Sequence, residues 1–591
     1  MSALLGRARA LVRGGSAGRA LYTAALNGLA VLAVGAAALD HTGAALVLLA
    51  LVLVLTGVGL RRGSRALRHL GRWGAARTLV SVAALVLLAR SDAPRWTIVC
   101  AALLTALVAT EPSGARLWRS AARPVHALPG FALSRPYASS GGLVVVASLV
   151  LAALTGLGAV WTPLAPVAAV GTLADAAVIG AWTAMAARDR GRIGALVHDA
   201  LEDYAPQVMV YVSGPGGTEY QLRTWLEHLA EVDRRWVVVT RETPLANAVA
   251  RLTDVPVVAA RTLVELDQVQ VPSLRVAIYV NNGAKNGHNV RYRELTHVQL
   301  LHGDSDKPSS YNPVTAMFDV VFVAGQAGID RYGAHGVRIP EEKFRIVGRP
   351  QVRGITRAHD ERREHVMYAP TWTGFHADNN FGSLQWGTTI VRALLDDGWT
   401  VTFRPHPFSL AHAPSLQHIA DVHALLAADA AGSGRAHVYG EAATQLDLVE
   451  SFNASDALVA DVSSVPADYL FSEKPFVLAR VGELDDDDFL ADFPLARAAY
   501  VAPAADAAAM AAAVARLRSD DMAATRADLR RYYLGDLPTE TYGQVFVDAV
   551  RELVDAAPPE HSAAEHGTPQ HGTADDDELE ADLQLGEDDE A

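Results

Sequence analysis

The chain divides by hydropathy and charge, and this division constrains its fold more than any other feature. The first 190 residues contain several long apolar runs, no lysine and few acidic residues, whereas the rest has the mixed composition of a soluble protein. Six apolar runs lie near residues 20–38, 43–60, 76–89, 96–110, 142–161 and 165–187. Two of them, 76–89 and 96–110, are short against the ~20 residues that a membrane-spanning helix needs. We therefore predict a transmembrane bundle of about six helices over residues 1–195, with four or five spans as alternatives.

The arginines of this region alternate between connections. Seventeen of them precede the first run, fill the second and fourth connections or follow the last run, whereas the intervening connections carry only Arg90 and Arg95. Connections rich in arginine stay on the cytoplasmic side of a membrane. We therefore predict a multi-pass protein of the cell membrane whose remaining chain lies in the cytoplasm. Apolar runs without a charge placed to mark an ion pathway disfavour a transporter.

Charge and cysteine content exclude several classes of protein. The net charge is −14, and the region after residue 200 has no basic stripe, which argues against nucleic-acid binding. Cys100 is the single cysteine, so neither an internal disulfide nor a cysteine zinc site is possible. Ten acidic residues between Asp575 and Glu590 predict a disordered tail over 556–591. The run Asp485–Asp488 suits a solvated loop better than a cation site, and we predict no metal or cofactor.

After Asp203, short β-branched runs alternate with helical stretches. This order predicts parallel sheets covered by helices, in two Rossmann-like domains with a cleft between them. The first domain covers residues 200–347 and the second covers 348–555. The predicted strands are Val208–Val212, Trp236–Thr240, Val255–Ala259, Val276–Val280, Val298–Leu301 and Val320–Val323, then Val366–Ala369, Trp399–Phe403, Ala436–Tyr439, Ala457–Ala460, Pro475–Leu478 and Ala499–Val501.

Two motifs follow predicted strands of the first domain. The glycine-rich stretch Ser213–Gly217 could let the backbone approach a phosphate, although a plain tight turn explains it equally well. His302 stands where a later strand ends, and Gly303 after it permits a change of direction. Because a histidine titrates near neutrality, His302 is a candidate general base, with a packed or surface histidine as the alternative.

Two further motifs follow predicted strands of the second domain. Prolines flank His406, and together with Arg404 this histidine offers donors suited to a pyrophosphate; the alternative is a stiff turn. Ser463 or Ser464 can cap a helix and bind an anion there, although capping alone would explain both serines. One strand-end histidine in each domain is what group transfer across a cleft requires, with a base on one side and leaving-group stabilisers on the other.

These motifs together resemble the CDP-glycerol glycerophosphotransferase family, whose members prime or polymerise wall teichoic acids. The resemblance spans roughly residues 297–533 and rests on Gln299–Gly303 with Lys307, Tyr368–Trp372, Arg404–Pro407, and Asp461–Ser464 followed by Asp468 and Tyr469. It implies the two-domain fold called GT-B. It also implies that His302 is the base, that His406 and Arg404 bind the donor pyrophosphate, that Thr371, Ser463, Ser464 and Asp468 line the donor pocket, and that Gly303 and Lys307 lie on the acceptor side.

The sequence departs from the family pattern in several places. Leu301 stands where an aromatic residue is common, Asp304 and Ser305 replace a Thr-Pro pair, and Thr373 and Gly374 stand where a basic residue is common. The resemblance, with these departures, implies CDP-glycerol or another CDP-polyol as the donor. We expect a membrane-bound transferase that moves the polyol phosphate to a lipid-linked, teichoic-acid-like acceptor and releases CMP. The alternatives are another GT-B enzyme (a sugar-nucleotide glycosyltransferase or a UDP-sugar epimerase) and a non-catalytic membrane scaffold.

Overall fold

The computed structural model describes residues 16–60, 74–131, 136–303, 305–357, 363–372 and 380–556. The chain forms two compact units. The first comprises residues 1–124 and 130–200, and the second comprises 125–129 and 201–591. Of the predicted acidic tail, 556–591, all but Ala556 lies outside the described residues.

The first unit is helical, and its helices coincide with the six apolar runs. They are α1 (Ser16–Ala38), α2 (Thr42–Leu60), α3 (Gly74–Ala89), α4 (Arg95–Ala121), α5 (Pro136–Gly158) and α6 (Leu164–Tyr204). Leucines, valines and many alanines fill the shared core, among them Leu26, Leu49, Val80 and Leu104. Small side chains let helices approach closely, so this core depends on dispersion contacts between tightly packed backbones.

The membrane prediction is met only in part. Among the described residues one helix, α6, is long and apolar enough to cross a membrane by length and composition. Four shorter apolar helices accompany it, over Tyr22–Ala38, Thr42–Thr56, Ala75–Ala89 and Leu143–Gly158. Six helices are therefore present as expected, but their lengths do not establish six spans.

The second unit contains a first sheet of eight strands. They are β1 (Val125–His126), β2 (Val208–Val212), β3 (Trp236–Thr240), β4 (Val257–Ala259), β5 (Val276–Tyr279), β6 (Thr296–Gln299), β7 (Val320–Val323) and β8 (Phe344–Ile346). Their order is β1-β4-β3-β2-β5-β6-β7-β8, and only β1 is antiparallel to its neighbour. Every residue of β2, β3 and β5 is buried, as expected for parallel strands covered on both faces.

A second sheet of five parallel strands follows. They are β9 (His365–Ala369), β10 (Thr400–Phe403), β11 (Ala457–Ala460), β12 (Phe476–Arg480) and β13 (Tyr500–Pro503). Their order is β10-β9-β11-β12-β13. The connection from β9 runs to β10 on one side, and the next strand, β11, lies on the other side of β9. Ligands of open α/β sheets bind at such a reversal of strand order, beyond the carboxyl ends of the strands.

Helices cover both sheets of the second unit. They are α7 (Glu219–Arg223), α8 (Leu226–Ala230), α9 (Thr243–Val249), α10 (Leu263–Asp267), α11 (Gly287–Val290), α12 (Gln326–Ala334), α13 (Gly387–Asp396), α14 (Pro407–Ala411), α15 (Ala413–Ser433), α16 (Glu441–Gln445), α17 (Leu448–Asn453), α18 (Ser464–Tyr469), α19 (Asp486–Asp492), α20 (Ala507–Ser519), α21 (Ala523–Leu534) and α22 (Gln544–Ala556).

The last of these helices departs from the predicted domain boundary. Residues up to 555 were assigned to the second domain, but Phe546, Val547 and Val550 of α22 belong to the core of the first sheet. The chain therefore returns to the first half after completing the second. This return could not be read from periodicity, because an amphipathic helix does not show which sheet its apolar face will cover.

Most predicted strands are present, with shifts of one or two residues at their ends. The exception is Ala436–Tyr439, which contributes only an isolated bridge between Thr402 and Val438. Two strands were not predicted, the two-residue β1 and the three-residue β8, because so short a segment carries no alternation of polarity. The acidic run Asp485–Asp488 is also not a loop: Asp485 caps α19 by accepting a hydrogen bond from the Asp488 backbone N–H.

Candidate active site

His302 lies just beyond β6, at the carboxyl edge of the first sheet. Its Nδ1 lies 3.3 Å from the carbonyl oxygen of Val280. A carbonyl can only accept a hydrogen bond, so Nδ1 carries the proton and Nε2 is left as the acceptor atom. Burial lowers the pKa of His302 to about 4, with Arg349 adding to the effect. The ring is therefore neutral at pH 7, as a general base must be.

The turn that presents His302 is built differently from the expectation. Gly303 was predicted to allow the change of direction, but it is Leu301 that takes the left-handed conformation, with φ of 56°. The carbonyl of Leu301 accepts a hydrogen bond of 2.7 Å from Trp225 Nε1. Gly303 serves another purpose: a Cβ there would lie 3.2 Å from Ser464 Cβ. The absence of a side chain lets the first half approach the second.

His406 lies beyond β10, at the carboxyl edge of the second sheet, and begins α14. Its Nδ1 accepts a hydrogen bond of 3.2 Å from the backbone N–H of Phe408. The neutral ring must then carry its proton on Nε2, which makes Nε2–H a donor. Burial lowers the pKa of His406 to about 4, and the charge of Lys307 lowers it further. His406 is thus a neutral hydrogen-bond donor at pH 7.

Two aromatic rings connect these histidines across the two halves. Tyr220 makes an edge-on contact with His302, with ring centroids 5.7 Å apart, and another with Phe408 at 5.9 Å. Phe408 in turn lies 5.5 Å from His406. Because Tyr220 belongs to the first half and Phe408 to the second, the structure brings the two sequence-predicted histidines to one site. Trp372 flanks it, 6.5 Å from His406 and 5.6 Å from Phe408.

Lys307 extends from the His302 loop toward the second half. Its Nζ lies 5.4 Å from the ring centroid of Phe381, and its charge acts on both Asp461 and His406. Burial lowers the pKa of Lys307 to about 8, against the opposing effect of Asp461. The ammonium group therefore faces donor-side residues, although the sequence placed it on the acceptor side.

Asp461 lies fully buried just beyond β11. Its Oδ2 accepts hydrogen bonds from the backbone N–H groups of Thr371, at 2.7 Å, and Ser383, at 3.0 Å. Burial raises the pKa of Asp461 to about 7. Thr371 and Ser383 stand on either side of residues 373–379, so one carboxylate holds both ends of this connection. Thr371 is brought to the site in this way, through its backbone.

Ser463 and Ser464 stand at the start of α18, near Gly303. Ser463 caps the helix, since its Oγ accepts a hydrogen bond of 3.3 Å from the Val465 backbone N–H. Helix α18 has only six residues, so its dipole is too small to define an anion site by itself. Ser464 lies closer to the first half, opposite Gly303, and is the serine that lies at the junction of the two halves.

Two of the predicted donor-binding residues make structural contacts. Nη1 of Arg404 donates to the carbonyl oxygens of Ala443 and Leu446, both at 2.6 Å. Asp468 accepts hydrogen bonds from Nε and Nη2 of Arg349, and both side chains of this ion pair are buried. These contacts brace the walls of the site. A direct role of Arg404 and Asp468 toward the donor stays a prediction.

The glycine-rich stretch of the first half is a turn. Oε2 of Glu242 accepts a hydrogen bond of 3.0 Å from the Gly214 N–H, and Oε2 of Glu219 accepts one of 2.8 Å from the Gly217 N–H. Carboxylates that occupy these N–H groups leave no cradle for a phosphate. The tight-turn alternative therefore describes Ser213–Gly217, and its effect is to place Tyr220.

Sequence reasoning missed the residues that link the motifs. Tyr220, Phe408 and Arg349 were not singled out as site residues, and Asp461 was noted only as part of a serine motif. Phe408 directly follows the flanking proline of the His406 motif, which was a usable signal. Tyr220 and Arg349 carried none, because their importance comes from contacts between distant parts of the chain.

Residues 351–486 match the family described as CDP-Glycerol:Poly(glycerophosphate) glycerophosphotransferase. The predicted resemblance is confirmed. The matched segment holds His406, Arg404, Thr371 and both serines, as well as Asp468, whereas His302, Gly303 and Lys307 precede it. A CDP-glycerol glycerophosphotransferase-like enzyme is therefore the class to which the donor-side half points. None of the curated proteins matches the sequence.

Several solved structures have chains that are similar to this one over about three fifths of its length. The wall teichoic acid polymerase TagF is 14% identical, with 62% of this chain and 94% of that chain covered and a TM-score of 0.39. A putative UDP-N-acetylglucosamine 2-epimerase from Listeria monocytogenes is 11% identical, with 61% and 99% covered and a TM-score of 0.41. Staphylococcus aureus MnaA bound to UDP is 12% identical, with 60% and 100% covered and a TM-score of 0.40.

Proposed function

We propose that the protein transfers glycerol phosphate, or a similar polyol phosphate, from a CDP-activated donor to a hydroxyl of a lipid-linked, teichoic-acid-like polymer. The observation that carries the proposal is the pairing of His302 and His406. One imidazole presents a free acceptor nitrogen and the other presents an N–H donor, and rings from both halves connect them. Transfer with loss of a nucleotide requires one group of each kind.

The reaction follows from these two tautomers. The acceptor hydroxyl gives its proton to His302 Nε2 as its oxygen bonds to the β-phosphorus of the donor. The bond between that phosphorus and the bridging oxygen breaks, and CMP leaves with the electron pair. His406 Nε2–H donates a hydrogen bond to the departing phosphate, and Lys307 offsets its charge. Positioning and charge stabilisation account for the rate, without a covalent enzyme intermediate.

We place Lys307 on the donor phosphate in this scheme. Its ammonium acts on His406 and Asp461 of the second half, so a phosphate between His302 and His406 would lie within its field. A cation in a site from which water is partly excluded has a larger effect than one in water. Thr371, Ser463, Ser464 and Asp468 complete the proposed donor side, with Arg404 supporting it from behind. Gly303, next to His302, stays on the proposed acceptor side.

The first unit holds this reaction at the membrane in our proposal. The six helices, the arginine-rich connections and the apolar length of α6 support a multi-pass arrangement with the second unit in the cytoplasm. Cys100 is the single native cysteine. In a Cys100→Ala background, a cysteine at Ser91 should react with a membrane-impermeant maleimide from outside cells, and one at Ser433 only after lysis. Equal labelling of both in intact cells would contradict this topology.

The enzymatic proposal is tested by incubating membranes that contain the protein with CDP-[¹⁴C]glycerol and a lipid-linked acceptor. We expect CMP release and labelled polymer, both reduced at least ~10²-fold in His302→Ala and in His406→Ala. His365→Ala is the matched control, because His365 is exposed at the opposite, amino end of β9 and should leave both products unchanged. Turnover of a UDP-sugar without CMP release would favour a sugar-nucleotide enzyme. Undiminished function in both histidine variants would favour a scaffold.

A further inference from the structure

The two rings that join the histidines are partly exposed to solvent. Tyr220 is 38% exposed and Phe408 is 41% exposed, although each makes an edge-on contact with the other. Large aromatic side chains are normally buried, so a pair held together in this half-exposed state needs a reason. Beneath them lie the two imidazoles, His302 under Tyr220 and His406 under Phe408.

The first half holds Tyr220 in place through its backbone. Gly214 and Gly217 adopt φ of 152° and 109°, which side chains rarely allow, and a Cβ at Gly214 would meet Thr218 Oγ1 at 2.9 Å. Glu242 and Glu219 bind the N–H groups of these glycines. This stretch begins at the end of β2, where the strand order of the first sheet reverses toward β5. The turn therefore aims Tyr220 over the carboxyl edge of that sheet.

The second half holds Phe408 just as firmly. Pro407 restricts the backbone before it, and the Phe408 N–H is bonded to His406 Nδ1. Trp372 packs edge-on against its ring at 5.6 Å. Tyr220 and Phe408 thus meet only where the two halves of the second unit come together. Their contact therefore lies at the junction of the two halves.

We propose that Tyr220 and Phe408 form an aromatic gate that excludes water from the phosphorus during transfer. This inference rests on the proposed function and deepens it. Water attacking the β-phosphorus would give free glycerol phosphate and CMP, while attack by the polymer hydroxyl gives a phosphodiester and CMP. The same base could accept either proton, so His302 alone does not choose between them. The pair of rings raises the barrier to attack of water on the β-phosphorus. When the polymer acceptor binds over the site, it keeps water out in place of the rings.

The test separates transfer from hydrolysis. With CDP-[¹⁴C]glycerol and acceptor, we expect Tyr220→Ala to raise the ratio of free labelled glycerol phosphate to labelled polymer at least ~10-fold. Tyr220→Phe should keep the wild-type ratio, because the contacts are made by the ring. Phe408→Ala should raise the ratio as Tyr220→Ala does while retaining the backbone N–H on His406. The double variant should add little to either single change, since both remove one contact.

Controls keep this test independent of folding and of the proposed function. Tyr292→Ala is matched in chemistry but lies before β6, at the opposite edge of the sheet, and should leave the ratio unchanged. If Tyr220→Ala does not fold, Tyr220→Leu removes the same ring edges with less loss of volume. An unchanged ratio in folded Tyr220→Ala or Tyr220→Leu protein overturns the gate, even if the overall rate falls. A wild-type protein that releases no CMP from CDP-glycerol overturns the proposed function instead.

Discussion

The His302 loop and the His406 loop share their position but not their chemistry. Each follows a parallel strand at the carboxyl edge of its sheet, and burial lowers the pKa of each histidine to about 4. They differ in the backbone group that meets Nδ1: a carbonyl oxygen of Val280 for His302, and an N–H of Phe408 for His406. One ring is therefore an acceptor at Nε2 and the other is a donor.

The role of a neutral histidine is set by the backbone group that its Nδ1 meets, because that hydrogen bond decides which ring nitrogen carries the proton. Titration cannot separate these rings, since both are neutral at pH 7. The local fold does so, because Val280, the residue after β5, presents its carbonyl to His302, while the first turn of α14 presents an N–H to His406. A hydrogen-bond acceptor and a hydrogen-bond donor thus arise from the same residue type in two similar strand-end loops, and we propose that they serve as base and leaving-group donor.

The largest loss of activity is expected from substitutions of His302. His302→Gln should be as inactive as His302→Ala, with CMP release reduced by ~10²–10⁴-fold, because a glutamine amide cannot take up a proton. Initial rates of CMP release at saturating CDP-glycerol measure the effect. If His302→Gln retains a tenth or more of the wild-type rate, His302 acts as a hydrogen-bond donor or positions the substrate and is not the base.

The donor side should respond less severely. His406→Gln keeps an N–H group at about the reach of Nε2, so it should retain at least ~10-fold more activity than His406→Ala. The ratio of the two variants, measured as CMP release, is the diagnostic quantity. If His406→Gln and His406→Ala fall equally, as we expect for the His302 pair, the two histidines have the same role and the contrast between them disappears.

A smaller effect is expected on the pH dependence of the activity, to which His302 and Lys307 contribute. Activity should fall as the pH drops through about 4, where His302 becomes protonated, and should decline as the pH rises through about 8, where Lys307 loses its charge. Lys307→Arg should move the alkaline decline upward by more than ~1 pH unit and leave the acid limb in place, because a guanidinium stays charged. An alkaline limb unchanged in Lys307→Arg would contradict this assignment.

The acid limb needs a stability control. A histidine whose folded pKa is about 4 binds a proton in the unfolded chain near pH 6.5 but not yet in the folded one. Stability is therefore complete above pH 6.5 and decreases as the pH falls toward 4. His228, whose pKa burial also lowers to about 4, adds to this decrease. Circular dichroism at each pH gives the folded fraction by which activity is corrected.

Much of the fold and the main groups of the site were predictable from local pattern. Buried β-branched runs such as Val208–Val212 predicted strands because parallel sheets are apolar on both faces. His302 and His406 were recognisable because each ends a strand. The strand Phe344–Ile346 and the return of α22 to the first core were not, since short edges and the partner of an amphipathic helix leave no local signal.

The features of the site that the sequence did not predict depend on contacts between residues that are far apart in sequence. Arg404 and Asp468, whose role toward the donor stays a prediction, are bonded to Ala443, Leu446 and Arg349, residues that no spacing rule connects to them. Gly303 was explained by its backbone freedom and is instead needed for the approach of Ser464. Such contacts depend on how the two halves of the second unit pack together. That packing is a property of the complete fold and cannot be inferred from local sequence patterns.

The most direct test is a ¹⁵N NMR measurement of the histidine tautomers in the full-length, ¹⁵N-histidine-labelled protein at pH 7. Resonances lost in His302→Gln and in His406→Gln assign the two rings. We predict that both are neutral, with the proton on Nδ1 of His302 and on Nε2 of His406. The same tautomer in both rings, the reverse assignment, or a charged ring at either position would contradict a site that pairs one base with one donor.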